Sequence, residues 1–167
     1  MGARSVLVLL SVVVCSWNAG LGRALSIGGV CPDLALTFII CAGVIAGPET
    51  GAATGLLCGV IQAGQLGSEG LGALLVSRMV AGLGAGYLGA RVFSANAIAP
   101  LLCAAVATLM AEAAYFLMAP YPLFRAWLQG VLQEALYNGV AALAMHRALA
   151  WVLKRVRSEP APHFIGR

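Results

Sequence analysis

Three ionisable side chains, Arg78, Glu112 and Glu134, lie inside long apolar stretches of the sequence. An ionisable group within an apolar helix is costly unless it is paired, so such groups commonly mark ligand, ion or proton sites. With the orientation inferred below, each lies about 10 Å below the outer end of its segment at the helical rise of 1.5 Å per residue. The sequence therefore predicts that the three meet and that Arg78 pairs with one of the carboxylates.

Three further polar side chains lie at neighbouring levels: Gln62, Gln133 and Asn138. Two carboxylates against one guanidinium are unbalanced, so we expect one acid to be protonated or to face an outward-opening, water-filled cavity. Two interpretations remain open: a structural polar cluster that fixes the helix register, and a ligand cavity. The sequence has no Ser–His pair, HExxH motif or phosphate-binding loop, so we expect no enzymatic activity, cofactor or metal site.

The composition determines which helices must position these groups. Hydrophobic residues make up 61% of the 167 residues and charged residues 10%, against roughly 45–50% and 25% in ordinary soluble domains. So few charges do not cover a water-soluble surface, which excludes a soluble enzyme or nucleic-acid binder. Disorder is excluded because it requires low hydrophobicity. The sequence predicts an all-α, polytopic membrane protein.

A bilayer core of about 30 Å requires roughly 20 apolar residues per helix. Residues 1–157 are predicted to form one domain with transmembrane helices at about 6–21, 34–47, 51–66, 71–90, 95–118 and 127–153. A turn at 47–50 is expected between the second and third helices, and a flexible cytoplasmic tail at 158–167. We expect the first helix to be retained, because its surroundings make a poor signal-peptide cleavage site.

Basic residues indicate the orientation, because they favour the cytoplasmic side. With six helices and a cytoplasmic N-terminus, Arg23 and Arg125 lie outside, whereas six basic residues lie inside: Arg4, Arg91, Lys154, Arg155, Arg157 and Arg167. Both termini are therefore predicted to be cytoplasmic, with the basic tail close to anionic lipid. The five cysteines lie in or beside apolar stretches without a CxxC motif, which predicts small hydrophobic residues rather than disulfides.

Glycines recur every four residues along the second, third and fourth predicted helices. Small residues at this spacing let helix backbones approach closely in a membrane. Two interpretations are open: packing of these three helices against one another, or a docking groove for another membrane protein. The glycines concerned are Gly51, Gly55, Gly59, Gly82 and Gly86.

Several segments resemble the family of MreD, the rod shape-determining membrane protein of bacteria. They are Cys31-Pro32-Asp33-Leu34, the glycine-spaced stretch 51–62, Gly70-Leu71-Gly72-Ala73-Leu74, and Leu136-Tyr137-Asn138 followed by a small-residue run and Arg147. The resemblance covers roughly residues 30–157. The sequence has Ala63 where the family usually has Asp at the end of the third helix, so no role is carried over for that acid.

The resemblance implies a non-enzymatic inner-membrane scaffold of the cell-elongation (Rod) complex, which supports side-wall peptidoglycan synthesis and cell shape. The implied partners are membrane lipid, an MreC-like protein, MreB, and RodA with its transpeptidase, but no nucleic acid. The family's helical fold resembles that of the S components of energy-coupling-factor transporters, so the alternative is a small-solute-binding transporter subunit. Against that alternative, residues 6–21 lack the Ala-x-x-x-Ala docking face usual in S components.

Overall fold

The computed structural model of the chain is all-helical, and it describes residues 3–26, 29–66, 70–92, 98–120 and 122–158. These residues form six α-helices: α1 (Ala3–Ala24), α2 (Leu34–Ala46), α3 (Pro48–Leu66), α4 (Leu71–Val92), α5 (Ala99–Met118) and α6 (Phe124–Ser158). The prediction of an all-helical fold is confirmed, and each predicted helical segment overlaps one of these helices.

The predicted turn at 47–50 is shorter than expected. Gly47 alone separates α2 from α3, with a φ of +91° that an L side chain rarely adopts. Its N–H donates to the carbonyl of Gly43 at 2.8 Å, and Pro48 begins α3, at a position where its missing N–H is not needed. One residue is therefore enough to reverse the chain.

The ends of the chain also differ from the prediction. α6 begins at Phe124 and continues to Ser158, so the helix predicted over 127–153 is too short at both ends. Ser158 belongs to this helix rather than to a tail. Residues 159–167 of the predicted flexible tail, and residues 95–97 of the predicted fifth helix, lie outside the described residues.

α2 lies at the centre of the bundle and packs against each of the other five helices. Its residues 35–43 are all buried. Around it, α1, α3, α4, α5 and α6 follow one another in that order, and α1 and α6 touch at few positions. The main core joins large side chains of α1 and α2 to alanines of α4, α5 and α6: Leu7, Leu36, Phe38, Ile40, Ala81, Ala85, Ala104, Ala107, Ala111 and Ala142.

Apolar side chains cover much of the surface of the bundle as well as filling its core. Large apolar side chains are exposed on the outer helices, among them Leu9, Val13, Trp17, Val60, Tyr87, Leu102, Leu117, Leu136, Val140 and Trp151. Within the described residues, the stretches Leu71–Ala90 and Ala99–Met118 are long and apolar enough to cross a membrane. A core helix of a soluble protein passes the same test, so the exposed apolar surface is the more informative observation.

Candidate functional site

A layer of polar side chains crosses the interior of the bundle at one level. We define this polar layer by its members: Asn18, Asp33, Gln62, Arg78, Thr108, Glu134 and Asn138. One end of the bundle is where α2 ends and α3 begins. At 1.5 Å per residue, the members of the layer that come from α1 to α4 lie about 20 Å from that end. The layer therefore connects all six described helices at a common depth.

The centre of the polar layer is an ion pair between Arg78 and Asp33. Nη2 of Arg78 lies 2.5 Å from Oδ2 of Asp33, and the two side chains are 8% and 15% exposed. Nε of Arg78 donates to Oε1 of Gln62 at 2.9 Å, while Nη1 has no hydrogen-bond partner among the described residues. Such a charge-assisted pair offsets much of the cost of burying its two ions.

The partner of Arg78 is therefore Asp33, and this corrects the prediction of a pair with Glu112 or Glu134. Asp33 is the N-cap residue of α2, and its Oδ1 accepts from the N–H of Leu36 at 3.0 Å. Because α2 has only 13 residues, it begins about 20 Å from its other end, at the level of Arg78. A carboxylate that looks like part of a connecting segment in the sequence is thereby carried into the interior.

Side chains of α1 and α6 complete the N-terminus of α2. Nδ2 of Asn18 donates to Oδ1 of Asp33 at 3.1 Å. Oδ1 of the same Asn18 accepts from the N–H of Ala35, also at 3.1 Å. Oδ1 of Asn138 accepts from the N–H of Asp33 at 3.0 Å. The first N–H groups of a helix have no partner within the helix, so these side chains stabilise the start of α2 at depth.

Asn138 extends the polar layer towards α5. Its Nδ2 donates to Oε1 of Glu134 at 3.3 Å and to Oγ1 of Thr108 at 3.4 Å. Its side chain is fully buried, and both of its polar atoms are hydrogen-bonded. A buried amide with both ends bonded fixes the position of α6 relative to α2 and α5.

Beside the polar layer, α5 and α6 line an open pocket of about 300 Å³ that we call the acidic recess. It is lined by Glu112, Ala126, Trp127, Gly130, Val131 and Glu134. Electrostatic interactions connect Glu134 with Glu112, Asp33 and Arg78. The salt bridges among the described residues are Arg78–Asp33 and Arg4–Glu49, so neither glutamate has a direct basic partner there. The recess is suited to binding a cation or a proton.

Gln133 does not belong to the polar layer, which corrects its placement in the cluster. It is exposed and lines a mainly apolar groove of about 350 Å³ together with Val30, Leu136, Tyr137 and Val140. Consecutive residues on an α-helix point about 100° apart. Gln133 and Glu134 accordingly lie on different faces of α6, one on the apolar groove and the other on the acidic recess.

The five predicted glycines lie where α2, α3 and α4 pack against one another. Gly51 and Gly82 face each other, and a side chain on either would collide with the backbone of the other. One on Gly55 would collide with the carbonyl of Arg78, and one on Gly86 with Pro48. A Cβ on Gly59 would lie 3.1 Å from Cα of Leu75. The helices of this chain occupy the glycine faces, so no docking groove is formed there.

The structure also joins Cys15 of α1 to Cys58 of α3 in a disulfide, with a Cα–Cα distance of 5.8 Å. The prediction of no disulfide was wrong. The two cysteines are 43 residues apart and belong to no motif, so only the packing of α1 on α3 brings them together. Cys31 is exposed, whereas Cys41 and Cys103 are buried free thiols.

No protein-family model, curated protein or solved structure matches the chain. The polar layer and the acidic recess are therefore the features from which a function can be inferred. The first fixes the relative positions of the helices, and the second offers an unfilled volume with two carboxylates.

Proposed function

We propose that the chain is an integral membrane protein whose six described helices lie in the bilayer, with the short α2 crossing only part of it. The exposed apolar surface of the bundle, together with its buried ion pair, supports this proposal. Trp17, Leu136 and Val140 are 64%, 69% and 60% exposed, whereas Arg78 and Asn138 are buried. In water such an arrangement leaves apolar side chains hydrated and buries ionic ones, whereas lipid favours it because charged groups are retained inside the bundle.

We propose further that both termini are cytoplasmic. Arg4 at the start of α1 lies 3.6 Å from Glu49 at the start of α3, and Lys154 near the end of α6 shares a pocket with Ile45 of α2. These basic residues are thus at one end of the bundle. Basic residues favour the cytoplasmic side, so this end is assigned to the cytoplasm.

Reporter fusions test this orientation. A reporter that is active only outside the cytoplasm is expected to work when inserted between α5 and α6, at residues 122–123, and to fail when fused after residue 158. A reporter active only in the cytoplasm should give the opposite result at both positions. Equal activity at the two positions would contradict the crossing of α6, and the reversed pattern would contradict the orientation.

Within the membrane, we propose a non-enzymatic scaffold subunit of the bacterial cell-elongation (Rod) machinery, which supports side-wall peptidoglycan synthesis. The observation that carries the proposal is the convergence of segments similar to the MreD family. Asp33, Gln62 and Asn138 come from three of these segments and lie together in the polar layer. Asp33 and Asn138 are 105 residues apart in sequence, so the similar segments describe one structural unit rather than scattered apolar stretches.

The proposed partners are membrane lipid, an MreC-like protein, MreB, and RodA with its transpeptidase. Because the glycine faces are occupied within the bundle, a partner would contact the exposed apolar surfaces instead. Exposed side chains on α1 and α6, such as Trp17 and Leu136, are available for such contacts.

Cell width after repression of the gene in its native host tests the scaffold proposal. We expect rounding or widening that the intact chain reverses. A chain with Arg78→Ala should fail to restore the width because the polar layer is broken. The matched variant Gly130→Ala should restore it, because a Cβ at Gly130 has no atom within 4 Å. Unchanged cell shape after complete depletion would contradict the proposal.

The acidic recess favours a second candidate, a solute-binding membrane subunit similar to an S component. Two carboxylates and the indole of Trp127 line the open pocket of about 300 Å³, and carboxylates and aromatic faces both attract cations. The corresponding ligand class is a small organic amine.

Titration of the purified protein with putrescine tests the second candidate. We expect Glu134→Gln to weaken binding about tenfold or more, whereas Gln133→Ala, which changes the neighbouring side chain outside the recess, should leave it unchanged. Absence of binding to the intact protein, together with absence of a co-purified amine in native mass spectra, would contradict this candidate.

A further inference from the structure

The disulfide lies where α1, α2 and α3 meet. Cys15 and Cys58 are fully buried, and Ala35 and Ile39 of α2 pack around them. α1 is otherwise a peripheral helix with one side exposed, as the exposure of Leu9, Val12, Val13, Trp17 and Leu21 shows. The disulfide is therefore the covalent attachment of this outer helix to the bundle.

The disulfide is also one helical turn from two side chains that contact the ion pair. Asn18 follows Cys15 by three residues on α1, and Gln62 follows Cys58 by four residues on α3, so each pair lies on one face of its helix. Asn18 donates to Asp33 at 3.1 Å, and Gln62 accepts from Arg78 at 2.9 Å. The two helices joined by the disulfide thus supply one side chain to each member of the ion pair.

We propose that Cys15–Cys58 is a covalent clamp that holds Asn18 and Gln62 against the Asp33–Arg78 ion pair. Reduction by a dithiol proceeds through two thiol–disulfide exchanges. The dithiol supplies two electrons and two protons and leaves as a cyclic disulfide, while Cys15 and Cys58 become thiols. Once the disulfide is reduced, α1 keeps only non-covalent contacts with the bundle. The contact of Asn18 with the N-terminus of α2 is then less stable. The clamp is independent of the function proposed above.

Thiol counting on the purified full chain tests whether the clamp exists. The chain contains five cysteines. After denaturation without reductant, maleimide should modify three of them, namely Cys31, Cys41 and Cys103. After treatment with dithiothreitol it should modify all five. Modification of all five without reductant would overturn the proposal.

Thermal unfolding in detergent tests whether the clamp acts on the ion pair. The disulfide joins residues that are 43 positions apart. A disulfide closing a loop of this length typically raises the Tm by about 5–10 °C, so we expect dithiothreitol to lower the Tm by this amount. Cys31→Ser, which removes an exposed thiol outside the disulfide, should show the same shift as the unaltered chain.

The decisive comparison uses Asn18→Ala. Part of the effect of the disulfide passes through Asn18, so reduction should lower the Tm of this variant by clearly less than it lowers that of the unaltered chain. Fully additive losses would overturn the proposal, because they would mean that the disulfide stabilises the fold without acting on the polar layer. If Asn18→Ala does not fold, Asn18→Ser permits the same comparison, since the shorter side chain does not reach as far towards Asp33.

Discussion

The contact between α3 and α4 differs from the contact between α5 and α6 in how the two backbones are held apart. Between α3 and α4, Gly51 and Gly82 place backbone against backbone. Between α5 and α6, the rings of Phe116 and Trp127 stack with their centroids 4.4 Å apart, and an open pocket of about 300 Å³ remains beside them. The α3–α4 contact depends on the lack of side chains at the two glycines. At the α5–α6 contact, large aromatic side chains separate the two backbones.

This difference separates the bundle into a part where backbones are in contact and a part with open space between side chains. Close backbone contact leaves no room for a change in side-chain volume. The α5–α6 contact retains room beside Glu112 and Glu134. We therefore expect substitutions at the first contact to affect folding and substitutions at the second to affect binding.

The largest effect is expected from Gly82→Ala. The added methyl group would collide with the carbonyl of Gly51, and neither backbone can move without separating α3 from α4. Overpacking typically costs about 1–3 kcal/mol, and we expect more here because backbone must move against backbone, so the yield of folded protein in detergent should fall sharply. Gly84→Ala is the matched control, because its Cβ would meet only the flexible end of Met110 at 3.0 Å. Equal yields of the two variants would contradict the close α3–α4 contact.

The next largest effect is expected from Arg78→Ala, which leaves the carboxylate of Asp33 buried without its counter-ion. Removing one partner of a buried ion pair costs about 3–5 kcal/mol, measured as a fall in thermal stability in detergent. Adding Asp33→Asn should recover part of the loss, because the amide is neutral and can still accept from the N–H of Leu36. Recovery by Glu112→Gln instead would identify Glu112 as the partner of Arg78.

A smaller effect is expected from Glu134→Gln in the acidic recess. The glutamine keeps an acceptor for Nδ2 of Asn138, which lies 3.3 Å from the present carboxylate oxygen. Unfolding in detergent should show a change in free energy within about 1 kcal/mol, the net value of a typical hydrogen bond. A loss as large as that of Arg78→Ala would mean that the recess belongs to the structural part of the bundle.

The smallest effect is expected from Gly130→Ala, on the wall of the same recess. A Cβ there meets no atom within 4 Å, and alanine is favoured over glycine within a helix by about 0.5–1 kcal/mol. The variant should unfold at a slightly higher temperature than the unaltered chain. A marked fall in stability would show that α5 and α6 are as tightly packed as α3 and α4.

Helix positions followed from the sequence because long apolar stretches are separated by polar residues, glycine or proline. The common depth of Arg78 and Gln62 also followed, because residues can be counted from the helix ends. Asp33 was not included in this counting, because it lies just before the predicted start of the second helix. A helix of 13 residues cannot span the distance covered by its neighbours. The shortness of the second helix in the sequence was therefore the available indication that Asp33 lies inside the bundle.

Two further differences between the prediction and the structure depend on which face of a helix is buried, and residue spacing alone does not determine this. Gln133 was grouped by depth alone, and depth does not determine which face of α6 a residue lies on. The Cys15–Cys58 disulfide depends on which face of α1 packs against α3. Both helices are apolar on several sides, so their hydrophobic pattern does not determine that face.

The shortness of α2 bears on how the chain is assembled. At about 20 Å, α2 is shorter than the roughly 30 Å core of a bilayer, and its first N–H groups are bonded by Asn18 and by its own cap residue Asp33. Inserted alone, such a segment would expose unsatisfied main-chain groups to lipid. In the proposed membrane protein we therefore expect α2 to become stable only after the helices around it have been inserted, which would make this buried helix one of the last to settle during biogenesis.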